Sequence, residues 1–168
     1  MRIIRPQPLT REAFAPFGDV ISVESAEAKA ANQGSATRSD FTTPLHNARP
    51  NAKPNVAVFR SKPRTLPFQI VMLERHTQSS QMFSPMSVAR YVVVVAPSTA
   101  TGACVEEQVQ AFLASPLQAI NYRAGTWHHP LLVLDREAQF LMVAFEDGSA
   151  HDCEELKLTQ QCQLHVDP

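Results

Sequence analysis

Glycine, cysteine, tyrosine and tryptophan are scarce in this chain, at five, three, two and one in 168 residues. Charge is scarce too, with 18% charged residues and a net charge of −1. Each shortage excludes something. Cys104, Cys153 and Cys162 are odd in number and hold no Cys-x-x-Cys pair, so a disulfide frame is excluded and free, inert thiols in a reducing compartment are expected. Near-neutral charge leaves no electrostatic footprint for nucleic acid or anionic lipid. No apolar run exceeds Tyr91 to Pro97, far short of a membrane span. The start, Met1-Arg2-Ile3-Ile4-Arg5-Pro6, is too short and too charged for a signal peptide. A cytoplasmic protein whose partners are small molecules or a second copy of itself is the expectation.

Thirteen prolines against five glycines suggest many short strands joined by stiff connections. A single domain over 1–168 is long enough to bury roughly 70% of its unfolded surface. Thr10 predicts an N-cap for a brief helix through Arg11–Phe14, closed by Pro16 and Gly18. Strand signals rich in Val, Ile, Phe and Tyr recur at 56–59, 68–73, 81–83, 91–95, 118–122, 131–134 and 140–145. One helix is predicted among them, from Val105 to Ala114, with Val105, Val109, Phe112 and Leu113 on one stripe. The stretch 24–54 reads as a long loop, functional or disordered. Arg38 within it either reaches a carboxylate bidentately or is a solvated loop arginine. The pattern is that of an all-β sandwich or barrel.

Two polar clusters stand out. In Asn121-Tyr122-Arg123-Ala124-Gly125-Thr126-Trp127-His128-His129-Pro130, Gly125 accepts φ > 0 and allows a tight turn. Taken alone the stretch is either a packed structural turn or the rim of a site. On a strand His129 points away from His128, so packing is expected for it and for Trp127. The second cluster, Glu74-Arg75-His76-Thr77-Gln78-Ser79-Ser80-Gln81, ends the strong strand beginning at Phe68. Side chains two apart share a strand face, so Glu74 and His76 point the same way, and a return antiparallel strand brings Gln81 to face them. His46, His151 and His165 lie in polar stretches and are expected to be solvated.

The spacing Glu74-x-His76-x4-Gln81 resembles the first metal motif of the cupins, His-x-His-x4-Glu, and Gly125-x-x-His128 resembles the second. That resemblance implies an all-β, cupin-like double-stranded β-helix with both clusters at one barrel mouth. Taken further, Phe14-Ala15-Pro16-Phe17-Gly18-Asp19-Val20-Ile21, Leu73-Glu74-Arg75-His76 with Ser80-Gln81 and Pro85, Val93 to Pro97, Ala111-Phe112-Leu113, Asn121-Tyr122-Arg123 with Trp127-His128-His129-Pro130, and Asp152-Cys153-Glu154-Glu155 are similar to the ureidoglycolate lyase family, in the same order along the chain. The resemblance implies a homodimeric enzyme of allantoin and purine degradation that splits ureidoglycolate into glyoxylate and urea. It also implies a divalent metal, nickel, as a cofactor of some members. Ser39-Asp40 and Ala144-Phe145 depart from the family pattern, where an aromatic-histidine pair and Asp-Arg are common.

Ureidoglycolate is a hemiaminal, and its elimination needs a base for the hydroxyl and an acid for the leaving nitrogen. Histidine does either near its unperturbed pKa of ~6.5. The expected catalytic groups are His76, His128, Glu74 and Tyr122, with Glu74 tuning a histidine. Gln81 and Asn121 are expected substrate contacts, and Arg38, Arg75 and Arg123 the candidate holders of the carboxylate. Glu74, His76, Gln81 and His128 form the candidate metal set, though an amide is a weak ligand. A metal-dependent cupin dioxygenase or isomerase on another small hydroxy or keto acid, and a non-catalytic carboxylate-binding cupin, are the competing readings.

Overall fold

The computed structural model describes residues 1–25, 27–41, 43–149 and 152–167. In chain order its strands are β1 (Arg2–Ile4), β2 (Gln7–Pro8), β3 (Gly18–Ile21), β4 (Ala28–Ala31), β5 (Ala36–Ser39), β6 (Lys53–Ser61), β7 (Phe68–His76) and β8 (Gln81–Ser87). There follow β9 (Tyr91–Ala96), β10 (Gln110–Ala114), β11 (Ala119–Tyr122), β12 (Trp127–His128), β13 (Leu132–Val133), β14 (Ala138–Glu146) and β15 (Cys153–Leu164). One α-helix among the described residues, α1 (Arg11–Phe14), interrupts them, and Thr10 Oγ1 caps it by accepting from Ala13 N at 3.2 Å. No helix among the described residues is long and apolar enough to cross a membrane.

From β6 onward the chain passes back and forth between two sheets. One runs β1-β15-β7-β12-β9-β10-β2 with β13 also on β9, and the other runs β3-β11-β8-β14-β6. This is the cupin-like double-stranded β-helix. All six residues of β9 are buried. Tyr91, Val93 and Val95 face the core between the sheets, while Val92, Val94 and Ala96 face a second apolar cluster with Leu158, Cys162 and Trp127. A strand covered on both faces needs an unbroken apolar run instead of alternation, and Tyr-Val-Val-Val-Val-Ala supplies one.

Two expectations are corrected here, and one strand was not foreseen. The helix predicted over 105–114 is a short 3-10 turn at Glu106–Gln108 followed by β10. β10 lies between β9 and β2, so its backbone groups are taken by sheet ladders, and tertiary pairing overrides the helical stripe. The 24–54 stretch is not all loop, since β4 and β5 pair as a hairpin within it. β15 carries no strong apolar alternation yet forms a twelve-residue strand, because β7 and β1 flank it. The expectation for His151 falls outside the described residues.

Gly18 holds a close approach between β3 and β11. A Cβ there would sit 2.0 Å from the carbonyl oxygen of Asn121, beside Tyr122, the register partner of Gly18. Gly18→Ala is expected to cost about 1–3 kcal/mol, as overpacking does, measured from the urea midpoint; an unchanged midpoint would show that the two strands separate freely.

Candidate active site

Strand alternation builds one wall. Glu74 and His76 of β7 turn toward the space between the sheets, while Arg75, between them, turns out. Gln81 opens β8 facing His76, with its Nε2 3.2 Å from His76 Nε2. The opposite wall comes from the turn at Gly125, whose φ of 83° is the left-handed conformation glycine tolerates. Its N–H donates to His76 O at 2.7 Å and Thr126 Oγ1 donates to Phe17 O at 2.8 Å, so both ends of the turn are pinned. β12 then pairs with β7 in a register that sets His128 opposite Glu74. Tyr122, at the end of β11, stacks on the His128 ring with centroids 4.1 Å apart. The His76 and His128 rings lie 5.7 Å apart.

These groups line a cavity of about 320 Å³. Ser61, Glu74, His76, Gln81, Tyr122, His128 and Glu146 supply its polar lining, and Phe59, Phe83, Phe140 and Met142 belong to its apolar wall. No arginine or lysine is among the described lining residues.

His128 Nδ1 is 2.9 Å from Thr126 O. A carbonyl can only accept, so Nδ1 carries a proton. Nε2 is then the free position, buried without a hydrogen-bond partner, and it faces Glu74 Oε1 at 3.5 Å. A bare imidazole lone pair against a carboxylate is repulsive, so the geometry calls for a proton or a cation between them. The Glu74 carboxyl is held below its ordinary value, chiefly by the proton His128 offers it, with burial opposing. Burial pushes the His76 imidazole down, and the charge of His128 adds to that. Tyr122 is pushed well above the ordinary phenol value, first by burial, so it remains a hydroxyl donor. Its OH and Gln81 Oε1 are also buried without partners.

The structure brings Glu74, His76, Gln81, Tyr122 and His128 together and leaves the other expected site residues elsewhere. Arg38 is exposed on β5 and paired with Asp40 at 2.6 Å. Arg75 binds Glu154 at 2.6 Å and covers the Trp127 ring on the outer face. Arg123 donates to the carbonyls of Ala15 and Pro16. Asn121 alternates with Tyr122 and so points away, donating to Pro44 O. None of the four lines the cavity. His129 turns from His128 to pack its ring edge-on against Phe68, and Trp127 joins the outer apolar cluster, as expected of both. His46 is exposed, but His165 is half-buried and contacts Gln163. The three cysteines are free.

Two acids near the site were not among the expected residues. Glu146 ends β14 at the cavity, and Asp152 Oδ2 lies 3.7 Å from His76 Nδ1. The latter follows only from the β15–β7 register, which places Cys153 against His76.

A profile of the ureidoglycolate lyase family matches residues 1–165. A ureidoglycolate lyase of Burkholderia cepacia is 41% identical over 167 residues, covering 99% of this chain and 92% of the relative. One from Pseudomonas paraeruginosa is 39% identical over 168 residues, covering 100% and 98%. Among solved structures, a dTDP sugar isomerase from Desulfovibrio desulfuricans superposes with a TM-score of 0.49 at 9% identity, over 86% of this chain and 87% of that one, too remote to carry any chemistry. Matched from end to end by the family and its members, the chain belongs to the ureidoglycolate lyase family.

Proposed function

We propose that this cavity cleaves ureidoglycolate into glyoxylate and urea by an elimination run on its two histidines. The central carbon of the substrate bears a carboxylate, a hydroxyl and a ureido nitrogen. Loss of the hydroxyl proton forms the aldehyde of glyoxylate, the carbon–nitrogen bond breaks, and a proton on the nitrogen completes urea; no water is consumed. His76, kept neutral by burial, takes the hydroxyl proton. His128, whose Nδ1 is committed to Thr126 O, delivers the other proton from Nε2. Proton exchange with solvent returns the pair to its starting state. The Tyr122 hydroxyl donates to the urea oxygen and Gln81 Oε1 accepts from the urea amide, which gives partners to two buried atoms that otherwise have none. The apolar wall of Phe83, Phe140 and Met142 keeps water from competing.

The observation that carries this reading is the contact of His128 Nε2 with Glu74. Positive charge belongs there, and with no lysine or arginine in the described lining it is also the charge available to the substrate's carboxylate. A protonated His128 meets that need.

A divalent ion meets it as well. Glu74, His76 and His128 each offer a donor atom within 4.8 Å of the others, and this oxygen–nitrogen set suits a borderline ion such as nickel or manganese. When bound, such an ion supplies positive charge that lowers the pKa of the substrate hydroxyl.

One experiment tests both readings. Purified protein is given ureidoglycolate as isolated, after chelation, and after chelation with nickel or manganese restored, while glyoxylate and urea are measured. Release above the spontaneous rate is expected. Activity that survives chelation leaves imidazolium as the charge; activity that returns only with the ion assigns that work to the metal. No release under any of the three conditions overturns the proposed function.

A further inference from the structure

We propose that Arg49 and Asp152 are positioning residues that hold His76 with its proton on Nδ1 and its Nε2 lone pair turned into the cavity. This rests on the reading of His76 as the base, since a base must present a lone pair to the substrate.

Two contacts on opposite sides of the ring agree. Asp152 Oδ2 stands 3.7 Å from His76 Nδ1, and a carboxylate can only attract a protonated ring nitrogen. On the other side the Gln81 amide nitrogen lies 3.2 Å from Nε2, where a donor needs a bare nitrogen. Asp152 is itself fixed. Its Oδ1 accepts from Gln78 N at 2.7 Å and its Oδ2 from Arg49 Nη2 at 3.4 Å. Arg49 is tied in turn to Asp147 Oδ1 at 2.9 Å and to Phe145 O at 2.6 Å. The side chains of Arg49 and Asp152 are 13% and 12% exposed, so the pair is a built feature and not a surface encounter. Three separated segments meet at this point: the approach to β6, the end of β14 and the start of β15. Carboxylates that set the tautomer and orientation of a working histidine are a general device.

The test is nitrogen NMR on full-length protein labelled with ¹⁵N-histidine, freed of metal and kept mildly alkaline so that the imidazoles are neutral. Ring shifts and couplings distinguish a protonated nitrogen from a bare one. His76 protonated at Nδ1 is expected in the parent protein and in Asp152→Asn, which keeps an acceptor in place. Asp152→Ala is expected to mix the tautomers and to lower kcat by about 10–100-fold, the usual cost of losing such a partner, with little change in KM. Arg49→Gln is expected to show a smaller share of the same change. A parent protein carrying the His76 proton on Nε2 overturns the proposal, as does an unchanged tautomer in folded Asp152→Ala. Should the alanine variant not fold, the parent tautomer decides. An Nδ1-protonated His76 in a protein that releases no glyoxylate would sink the lyase reading and leave the positioning assignment standing.

Discussion

His128→Ala is expected to lower kcat for glyoxylate release by about 10²–10⁴-fold, the range a positioned acid–base group contributes. The substitution removes the one buried ring nitrogen aimed at Glu74. It also removes the partner that chiefly holds the Glu74 carboxyl below its ordinary value. What remains in the cavity is a glutamate with no positive charge beside it, facing an anionic substrate, so KM is expected to rise as well. The fold should survive, because the Glu74 side chain keeps 20% of its surface in contact with solvent and need not become an isolated buried charge. Steady-state kinetics on a variant shown to be folded by its circular-dichroism melting curve is the measurement. A loss smaller than about tenfold would take His128 out of the proton transfer, since a tenfold change is only about 1.4 kcal/mol of barrier.

Phe112→Ala is expected to destabilise the protein by about 3–5 kcal/mol, a large part of the roughly 5–15 kcal/mol that separates folded from unfolded domains. Phe112 is fully buried and packs edge-to-face with Phe14 and Phe17, its ring centroid 5.5 Å and 6.2 Å from theirs. α1 is four residues long and cannot hold its shape alone. Its place depends on those aromatic contacts. Phe17, just past α1, offers the carbonyl that accepts from Arg123 N at 2.9 Å and from Thr126 Oγ1 at 2.8 Å. These bonds anchor the turn leading into His128. The loss should therefore appear twice, in a lowered urea midpoint and in a kcat reduced by more than the unfolded fraction explains. A change under about 1 kcal/mol would mean that α1 is docked by other contacts.

The half of the site on β7 and β8 was legible because its rule is local. Alternation alone puts Glu74 and His76 on one face and Arg75 on the other, and a reversal over four residues is enough to bring Gln81 round to His76. The same rule separates His128 from His129, and Tyr122 from Asn121. Applied consistently, it would also have removed Arg75 and Asn121 from the expected substrate contacts. Arg38 failed differently: Asp40, two residues on, takes its guanidinium at the surface, and the β4–β5 hairpin that carries Arg38 supplies no residue to the described cavity lining. The helix expected over 105–114 failed because a stripe of Val105, Val109, Phe112 and Leu113 suits a helix in isolation, while strands β9 and β2 stand ready on either side.

The sequence by itself determined the all-β class, the cap at Thr10, the turn at Gly125, and the family, each carried by residues a few positions apart or by an ordered series of motifs. Tertiary structure alone decided that His128 faces Glu74, that Asp152 stands behind His76 with Arg49 behind it, and that no arginine reaches the described cavity lining. The reason is physical. Side-chain direction along a strand is dictated within two residues, but which strands pair, and in what register, is settled by burial summed over the whole chain.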